Sequence, residues 1–322
     1  MSSLKRRQFG QLAAASLTST VVAGLSGKAL AQNSELKQGI HGVKLLSTSE
    51  ARNREDQTPS VELNTAELGT EKVLKILSKA NLPVLSVDDP TPVSKKSRAF
   101  FVPDYDRITH AITLKDKTLV ISTVSNTRKG QFNHLIYSVG SGTNRKFKAK
   151  KVRAFKKSDQ TVESLLALSN NQLLCLVGTE GIPPFALITL DFQTGKILSG
   201  DDLSLPSLPL THRFGNLCQD LKGNIFATEI GSEGIPILIS MNLQDKAIIT
   251  GKVKMITLNP LTFEGRPLVN DVKDLAFSSS GQLYALAADS SRKNNVLFTV
   301  DVKTGKMERV SNFAVDKFTF SL

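Results

Sequence analysis

The sequence predicts an all-β fold built from repeated four-stranded antiparallel units, and three observations carry this prediction. Short runs rich in Leu, Ile, Val, Phe and Thr alternate with turns rich in Gly, Asn and Asp, which is the pattern of strands joined by tight turns. One such pattern recurs four times after residue 108. Two of the repeats share an Asp-x-x-Thr-Gly-Lys turn, at Asp191 and at Asp301. Together they predict one all-β domain over residues 98–322.

The repeats align at the start of their second strand, at Leu119, Leu173, Ile225 and Leu283, which gives periods of 54, 52 and 58 residues. Each repeat contains four apolar runs, enough for a four-stranded sheet. In the shared turn, the aspartate can accept hydrogen bonds from nearby backbone amides, and the glycine supplies a residue with positive φ. Repeats of this length, apolar on both faces, predict blades around a central axis, which is a β-propeller.

Four repeats leave such a ring incomplete, so we expect a further blade made from both ends of the chain. Residues 314–322 would supply one strand, and residues 98–102 or 43–46 would supply others. The prediction is therefore five blades, with six as the alternative. Residues 32–97 are otherwise predicted to be a short helical or irregular extension, with an amphipathic helix over residues 65–80.

The blade pattern and its two Asp-x-x-Thr-Gly-Lys turns resemble the blades of lactonase-like and quinoprotein-like propellers over residues 108–313. The resemblance implies the fold and leaves the activity open, because propellers host many functions. A lactonase-like member would be a metal-dependent hydrolase, and a quinoprotein-like member would be a dehydrogenase with a quinone cofactor. Quinoprotein blades typically dock through tryptophans and this chain has none, so the dehydrogenase alternative ranks last.

The N-terminal 31 residues resemble a twin-arginine export signal. Arg6, Arg7 and Phe9 match its core positions, and a mildly apolar segment follows. That segment is too short and too polar to span a membrane. A small-x-small cleavage triplet ends at Ala31. We therefore expect a mature monomer that begins at residue 32 and resides in the periplasm, the thylakoid lumen or outside the cell.

The chain is strongly basic. Its formal net charge is +12, and about +8 remains once the four basic residues of the export signal are removed. Export and the absence of stacking aromatics argue against nucleic acid as the partner. The charge is concentrated in residues 145–157, which we expect on the outermost strand of the first complete blade. The eight basic residues of this strip are Arg145, Lys146, Lys148, Lys150, Lys151, Arg153, Lys156 and Lys157.

Two interpretations of this basic strip stay open. The strip could bind acidic lipid headgroups, an anionic polysaccharide or an acidic protein partner. Alternatively, lysines on an exposed outer strand protect a sheet edge from aggregation. Because edge protection rarely needs so many charges of one sign, partner binding is a serious hypothesis.

Four polar residues precede the first core position of each repeat: His110, Ser164, Asn216 and Asp274. We expect them to face the axis at one mouth of the propeller, where propeller ligands usually bind. In metal-dependent lactonases a carboxylate, an asparagine and an aspartate hold the metal. That resemblance implies that Glu163, Asn216 and Asp274 could hold calcium or another divalent cation. The alternative is that these residues cap backbone amides at the strand starts.

Loops at the strand ends supply further candidates. Glu180 and Glu233 occupy equivalent Glu-Gly-Ile-Pro turns and could form a paired-carboxylate site for glycoside hydrolysis, although repeat duplication also explains the likeness. The longest late loops, residues 203–215 and 258–274, are where binding usually resides, and an arginine pair there could hold an anionic group. The basic candidates of these loops are His212, Arg213 and Arg266.

Cys175 and Cys218 lack the spacing of metal ligands, and they align with alanines of other repeats. We expect them to be small core residues. The sequence as a whole favours an exported, non-catalytic β-propeller that serves as a binding or scaffold module for an anionic partner or surface. Whether the chain is an enzyme stays open, with a metal-dependent lactonase-type hydrolase as the alternative and a quinoprotein-like dehydrogenase as the second.

Overall fold

The computed structural model describes residues 38–46, 60–69, 74–83, 107–126, 132–140, 147–153, 155, 159–168, 172–179, 181–243, 253–268, 272–288 and 294–321. Within these ranges all regular structure is β-strand, so the predicted all-β class is confirmed. The described ranges contain no helix long and apolar enough to cross a membrane. The export signal, with Ala31, lies outside the described residues.

The strands form five separate sheets, which we number as blades 1 to 5; the pairing within them is antiparallel, except that two strands of blade 4, Thr262–Phe263 and Lys306–Asn312, pair in parallel. Each sequence repeat corresponds to one blade, and the four aligned repeat positions occupy equivalent places in the second strands. Blade 5 contains β1 (Gln38–Leu46), β2 (Ser60–Leu68) and β3 (Leu74–Pro83), and it is completed by the last strand, β22 (Lys317–Phe320). Blade 1 contains β4 (Arg107–Thr113), β5 (Leu119–Asn126), β6 (Phe132–Val139) and β7 (Phe147–Lys151), and blade 2 contains β8 (Gln160–Ala167), β9 (Gln172–Thr179), β10 (Ile182–Asp191) and β11 (Lys196–Ser204). Blade 3 contains β12 (Arg213–Gln219), β13 (Ile225–Ile230), β14 (Pro236–Asn242) and β15 (Lys254–Pro260), and blade 4 contains β16 (Thr262–Phe263), β17 (Arg266–Pro267), β18 (Val272–Phe277), β19 (Leu283–Ala288), β20 (Asn295–Val300) and β21 (Lys306–Asn312).

The five blades are arranged in a closed ring. The innermost strands β4, β8, β12, β18 and β22 contact one another in that order, and β22 returns to β4. Each of the five buried apolar clusters spans one pair of neighbouring blades. Burial of aliphatic and aromatic side chains between blades is therefore continuous around the ring, and this burial is the main stabilising term of the fold. The chain is a five-bladed β-propeller, as predicted.

Both ends of the chain contribute to blade 5, as expected. The C-terminal strand β22 is innermost and pairs antiparallel with β1, which places Ile40 opposite Phe320. The helix predicted over residues 65–80 is wrong, because those described residues belong to β2 and β3, which pair with each other. Residues 32–97, which the sequence analysis predicted to be a helical or irregular extension, thus supply three strands of blade 5. Residues 98–102 lie outside the described part.

The helix prediction failed for a physical reason. In β2 the buried side chains of Val61 and Leu63 alternate with half-buried Glu62, which is the period of a strand. In β3 the aliphatic side chains of Ile76 and Leu77 are 46% and 48% exposed. The helix prediction rested on the spacing of Val73, Leu74 and Leu77, which is that of one helix face. Because Leu77 is exposed, this spacing does not mark a buried face.

The shared Asp-x-x-Thr-Gly-Lys turns behave as predicted and also join the blades. Asp191 and Asp301 each accept the backbone N–H two residues further on, at 2.9 Å. Gly195 and Gly305 have φ of 70° and 72°. A Cβ on either glycine would collide with a carbonyl oxygen of the preceding blade's outer segment. The backbone N–H of Arg153 donates to Gly195 O at 2.8 Å, so the turn of blade 2 also binds blade 1.

Candidate functional site

The polar residues predicted to face the axis do meet there, and all four are buried. His110, Ser164, Asn216 and Asp274 are at most 5% exposed. Each stands at or directly after an irregularity in the pairing of its innermost strand with the second strand. Such bulges re-aim a side chain relative to the regular pleat. They explain how a polar side chain reaches the axis in strands that are otherwise apolar.

A chain of polar contacts, made of hydrogen bonds and one close approach between His110 and Asp274, runs through three of these residues and touches every innermost strand. Ser164 Oγ accepts the backbone N–H of Leu217 at 2.8 Å and lies 3.2 Å from His110 Nδ1. His110 Nδ1 lies 3.3 Å from Asp274 Oδ1, and Asp274 Oδ2 accepts the backbone N–H of Phe318 at 2.9 Å. The connected groups belong, in order, to blades 3, 2, 1, 4 and 5. We call this set the axial network.

The axial network contains serine, histidine and aspartate, yet its geometry is not that of a catalytic triad. In a triad the serine and the aspartate contact opposite nitrogens of the imidazole. Here Ser164 Oγ and Asp274 Oδ1 both contact Nδ1 of His110. The three side chains are also at most 4% exposed. The contacts of this arrangement connect the innermost strands with one another.

Asn216 adds a second connection near the same mouth of the axis. It has a positive φ of 56°, a conformation that asparagine tolerates better than most residues. Its Nδ2 donates to Thr228 Oγ1 at 3.0 Å and to Val272 O at 2.9 Å. Lys317 Nζ lies 3.5 Å from Asn216 Oδ1 and also donates to Lys273 O. The half-buried Lys317 therefore connects blade 5 to blades 3 and 4.

Glu163 is held at the boundary of blades 1 and 2. Its carboxylate accepts two hydrogen bonds from the Arg107 guanidinium, at 2.9 and 3.0 Å, and one from Thr161 Oγ1 at 2.5 Å. Burial raises the pKa of Glu163, but the Arg107 and Thr161 contacts outweigh burial, and the net pKa is lowered. The carboxylate is thus ionised and already partnered.

The metal set suggested by the resemblance, Glu163, Asn216 and Asp274, lies on the innermost strands of blades 2, 3 and 4. All three side chains already bond to protein groups, and the carboxylates face N–H and O–H donors. Among the described residues, no three His, Cys, Asp or Glu side chains form a group that could hold a metal ion. The metal site stays a prediction, and a bound cation would have to replace these donors.

The predicted loop residues occupy separate places. His212 Nδ1 lies 3.1 Å from Glu229 Oε1. Arg213 begins the innermost strand of blade 3, whereas Arg266 is in the two-residue strand β17 at the outer edge of blade 4. The two arginines thus lie at the inner and outer parts of neighbouring blades. Of the paired glutamates, Glu233 is exposed, and Glu180 lies outside the described residues.

The basic strip lies where we expected it. Strand β7 is the outermost strand of blade 1, and Lys148 and Lys150 lie opposite residues of β6 in it. Lys150 and Lys151 are half-buried, and Arg153, just after the strand, is exposed. The strip therefore starts on the outer edge of a blade. Its other members, Arg145, Lys146, Lys156 and Lys157, lie outside the described residues.

Sequence reasoning missed His134, which is buried beside the Glu163 cluster. Its Nε2 lies 3.2 Å from Gln160 O, and its ring packs against Phe155 at 4.9 Å between centroids. Burial lowers the pKa of His134 from 6.5 to about 4. Its Nδ1 has no hydrogen-bond partner among the described residues. A lone histidine, here between Asn133 and Leu135, gives no sequence signal for such an environment.

Comparisons with known proteins add resemblances in fold only. No protein-family model and no curated protein matches the chain. Among solved structures, dipeptidyl peptidase 4 of Porphyromonas gingivalis is 11% identical with a TM-score of 0.34, covering 78% of this chain and 42% of its own. A β-xylosidase is 11% identical with a TM-score of 0.42, covering 65% of this chain and 79% of its own. A protein from Lactobacillus plantarum is 9% identical with a TM-score of 0.36, covering 88% of this chain and 99% of its own.

The chain therefore spans less than half of the peptidase's length. At these identities and TM-scores, neither a family nor an activity passes from these proteins to this chain. The fold and the axis define the protein as a five-bladed β-propeller whose innermost strands are joined by buried polar contacts.

Proposed function

We propose that this protein is an exported, non-catalytic binding module that recognises an anionic polysaccharide through its basic strip. The observation that carries the proposal is the position of the strip. Strand β7 is the outermost strand of its blade and contains Lys148, Lys150 and Lys151, in a chain whose net charge is about +8 once the export signal is removed. Repeated negative groups on a polymer complement such a row of cations.

The chemistry of the axis supports a non-catalytic assignment. The serine, histidine and aspartate of the axial network are buried and bonded between blades, so each already has a structural task. Glu163 is neutralised by Arg107. An enzyme would need a nucleophile, a base or a ligand set that is accessible to substrate. The basic strip begins on the outermost strand of blade 1, where Lys150 and Lys151 are half-buried and Arg153 is exposed.

The test measures salt-dependent binding of the chain that begins at residue 32. Retention on immobilised heparin is compared between the wild type and a strip variant in which four basic residues become glutamine: K148Q, K150Q, K151Q and R153Q. The control variant removes the same charge from exposed lysines elsewhere: K115Q, K222Q, K254Q and K303Q. We expect the strip variant to elute at clearly lower salt than the control, because local charge density governs polyanion contact.

Equal elution of the two variants would show that net charge alone governs binding, and it would refute the proposal. Vesicles containing phosphatidylglycerol form a second arm, and binding to vesicles without binding to heparin would reassign the partner to a lipid surface. Metal content is measured on the same preparation. One divalent ion per chain, lost in Asp274→Ala, would favour the metal-dependent hydrolase instead.

A further inference from the structure

A cleft of about 900 Å³ lies between blades 4 and 5. It is lined in part by Ser279 and Ser280, in the turn after β18, the innermost strand of blade 4. The axis residues His110 and Asp274 lie in the middle of their innermost strands, whereas the cleft lies at the end of the propeller where β18 ends and β19 begins, and no residue of the axial network lines it. Small-molecule sites in proteins commonly have volumes of about 300 to 1,000 Å³. None of the site residues predicted from the sequence lines this cleft.

The wall of the cleft in blade 4 is one row of side chains that lie next to each other on neighbouring strands. This row is partly polar, whereas the next buried row along the same strands is apolar. Tyr284, Thr299 and Glu308 are direct cross-strand neighbours on β19, β20 and β21. The next buried row, Leu286 and Leu297, packs against apolar side chains of blade 5. In blade 3 the equivalent row is Phe226, Ser240 and Ile256, so blade 4 has a carboxylate where blade 3 has an aliphatic side chain.

Blade 5 leaves room opposite this row. Gly39 has no side chain, and the Ser321 hydroxyl occupies the place that a Cβ on Gly39 would take. Gly39, Gly69 and Ser321 all line the cleft. The two blades are therefore separated at this end by small residues, whereas nearer the axis mouth aromatic and aliphatic side chains fill the space between them.

Several polar groups that line the cleft are fixed in place. The Gln282 amide donates to Leu283 O at 2.9 Å and to Val300 O at 2.8 Å, which leaves its Oε1 as a positioned acceptor. The Tyr284 ring packs against Phe320 at 5.0 Å between centroids. The Tyr284 hydroxyl makes no hydrogen bond within the described part of the chain. Groups held in this way lose little conformational freedom when a ligand binds.

The lining selects a class of ligand. An apolar molecule would desolvate hydroxyl, amide and carboxylate groups without returning hydrogen bonds. The lining carries the carboxylates of Asp301 and Glu308 and one ammonium, that of Lys306, whose Nζ lies 3.6 Å from Glu308 Oε1, so its net charge is negative and disfavours an anion. A neutral ring that carries several hydroxyls can form hydrogen bonds with the polar groups of the lining without placing a charge beside its carboxylates. We propose that this cleft binds a neutral saccharide unit, with Tyr284, Gln282 and Ser321 as hydrogen-bonding residues.

The absence of tryptophan makes the first test direct. The chain has three tyrosines, at positions 105, 137 and 284, so the double variant Y105F, Y137F carries Tyr284 as its only tyrosine and main fluorophore. Maltotriose, cellotriose and N-acetylchitotriose are titrated to millimolar concentrations. We expect at least one of them to change the tyrosine emission saturably. No saturable change with any of the three overturns the proposal.

The second test locates the binding in a chain that keeps its other tyrosines. Calorimetric titration of the responding trisaccharide is repeated with Tyr284→Phe, which removes only the hydroxyl, and with Tyr137→Phe as the matched control. Loss of one hydrogen bond should weaken binding about fivefold or more in Tyr284→Phe. The control should bind like the wild type. Equal affinities of the two variants would place the ligand outside the cleft and overturn the assignment.

Discussion

Replacement of Asp274 by asparagine tests whether the axial network holds the blades together. The Asp274 carboxylate is fully buried and accepts the backbone N–H groups of Phe318, at 2.9 Å, and Leu275, at 3.1 Å. It also lies 3.3 Å from His110 Nδ1. Asparagine keeps one oxygen and replaces the other with a donor. In either amide orientation, at least one buried N–H group then faces a donor and loses its acceptor.

The expected magnitude follows from these contacts. A buried donor left without a partner costs about 1 to 3 kcal/mol, and the hydrogen bonds that remain lose the assistance of the charge. We therefore expect Asp274→Asn to lower the free energy of unfolding by about 3 kcal/mol. For a chain of this size, that corresponds to a fall in Tm of about 5 °C.

Asp301→Asn is the matched control. Asp301 also accepts hydrogen bonds, from Lys303 N at 2.9 Å and Thr304 Oγ1 at 2.7 Å, but it lies in an exposed turn. Its replacement should move Tm by no more than about 2 °C. Calorimetry gives the Tm values, and hydrogen exchange reports the Phe318 amide directly. Similar Tm shifts in the two variants, with unchanged protection of Phe318, would refute a holding role for Asp274.

Three further predictions concern a turn, a buried histidine and the export signal. Gly305→Ala should destabilise the fold by about 2 kcal/mol more than Gly265→Ala in urea unfolding, because both glycines have positive φ but only Gly305 is packed against another blade among the described residues. Burial lowers the pKa of His134 to about 4, so its contribution to the free energy of unfolding is present above pH 6.5 and is lost as the pH falls through 4. Between pH 7 and pH 4, the free energy of unfolding of the wild type should therefore fall by about 3 kcal/mol more than that of His134→Gln. Replacement of Arg6 and Arg7 by lysine should leave the precursor in the cytoplasm, whereas protein sequencing of the exported wild type should begin at residue 32.

The fold could be predicted because its signal is repeated. Equivalent strand starts at Leu119, Leu173, Ile225 and Leu283 made the blades visible, and the incomplete ring required a blade from both chain ends. Strands β2 and β3 were missed because blade 5 is divided between distant segments and shows no repeat of its own. Without a repeat, only local spacing was available, and it favoured a helix.

The candidate site was predicted in position but not in chemistry. Repeat alignment found His110 and Asp274 because they occupy equivalent positions of their innermost strands. Their contacts depend on bulges, and a bulge is a one-residue shift in pairing that leaves no mark on the sequence. The partner of Glu163, Arg107, is 56 residues away and on another blade. An ion pair between residues so far apart in the chain can be identified only once the arrangement of the blades is known.

The axial network bears on how the molecule unfolds. In linear repeat arrays each unit contacts only its neighbours, so the ends can fray while the middle persists. Here Ser164, His110 and Asp274 are shared by all five blades, and the loss of any one blade leaves buried donors or acceptors unpaired in the others. The ring also has no terminal blade from which unfolding could start. A protein built from repeats is thus expected to denature in a single cooperative transition, with no stable state of three or four blades.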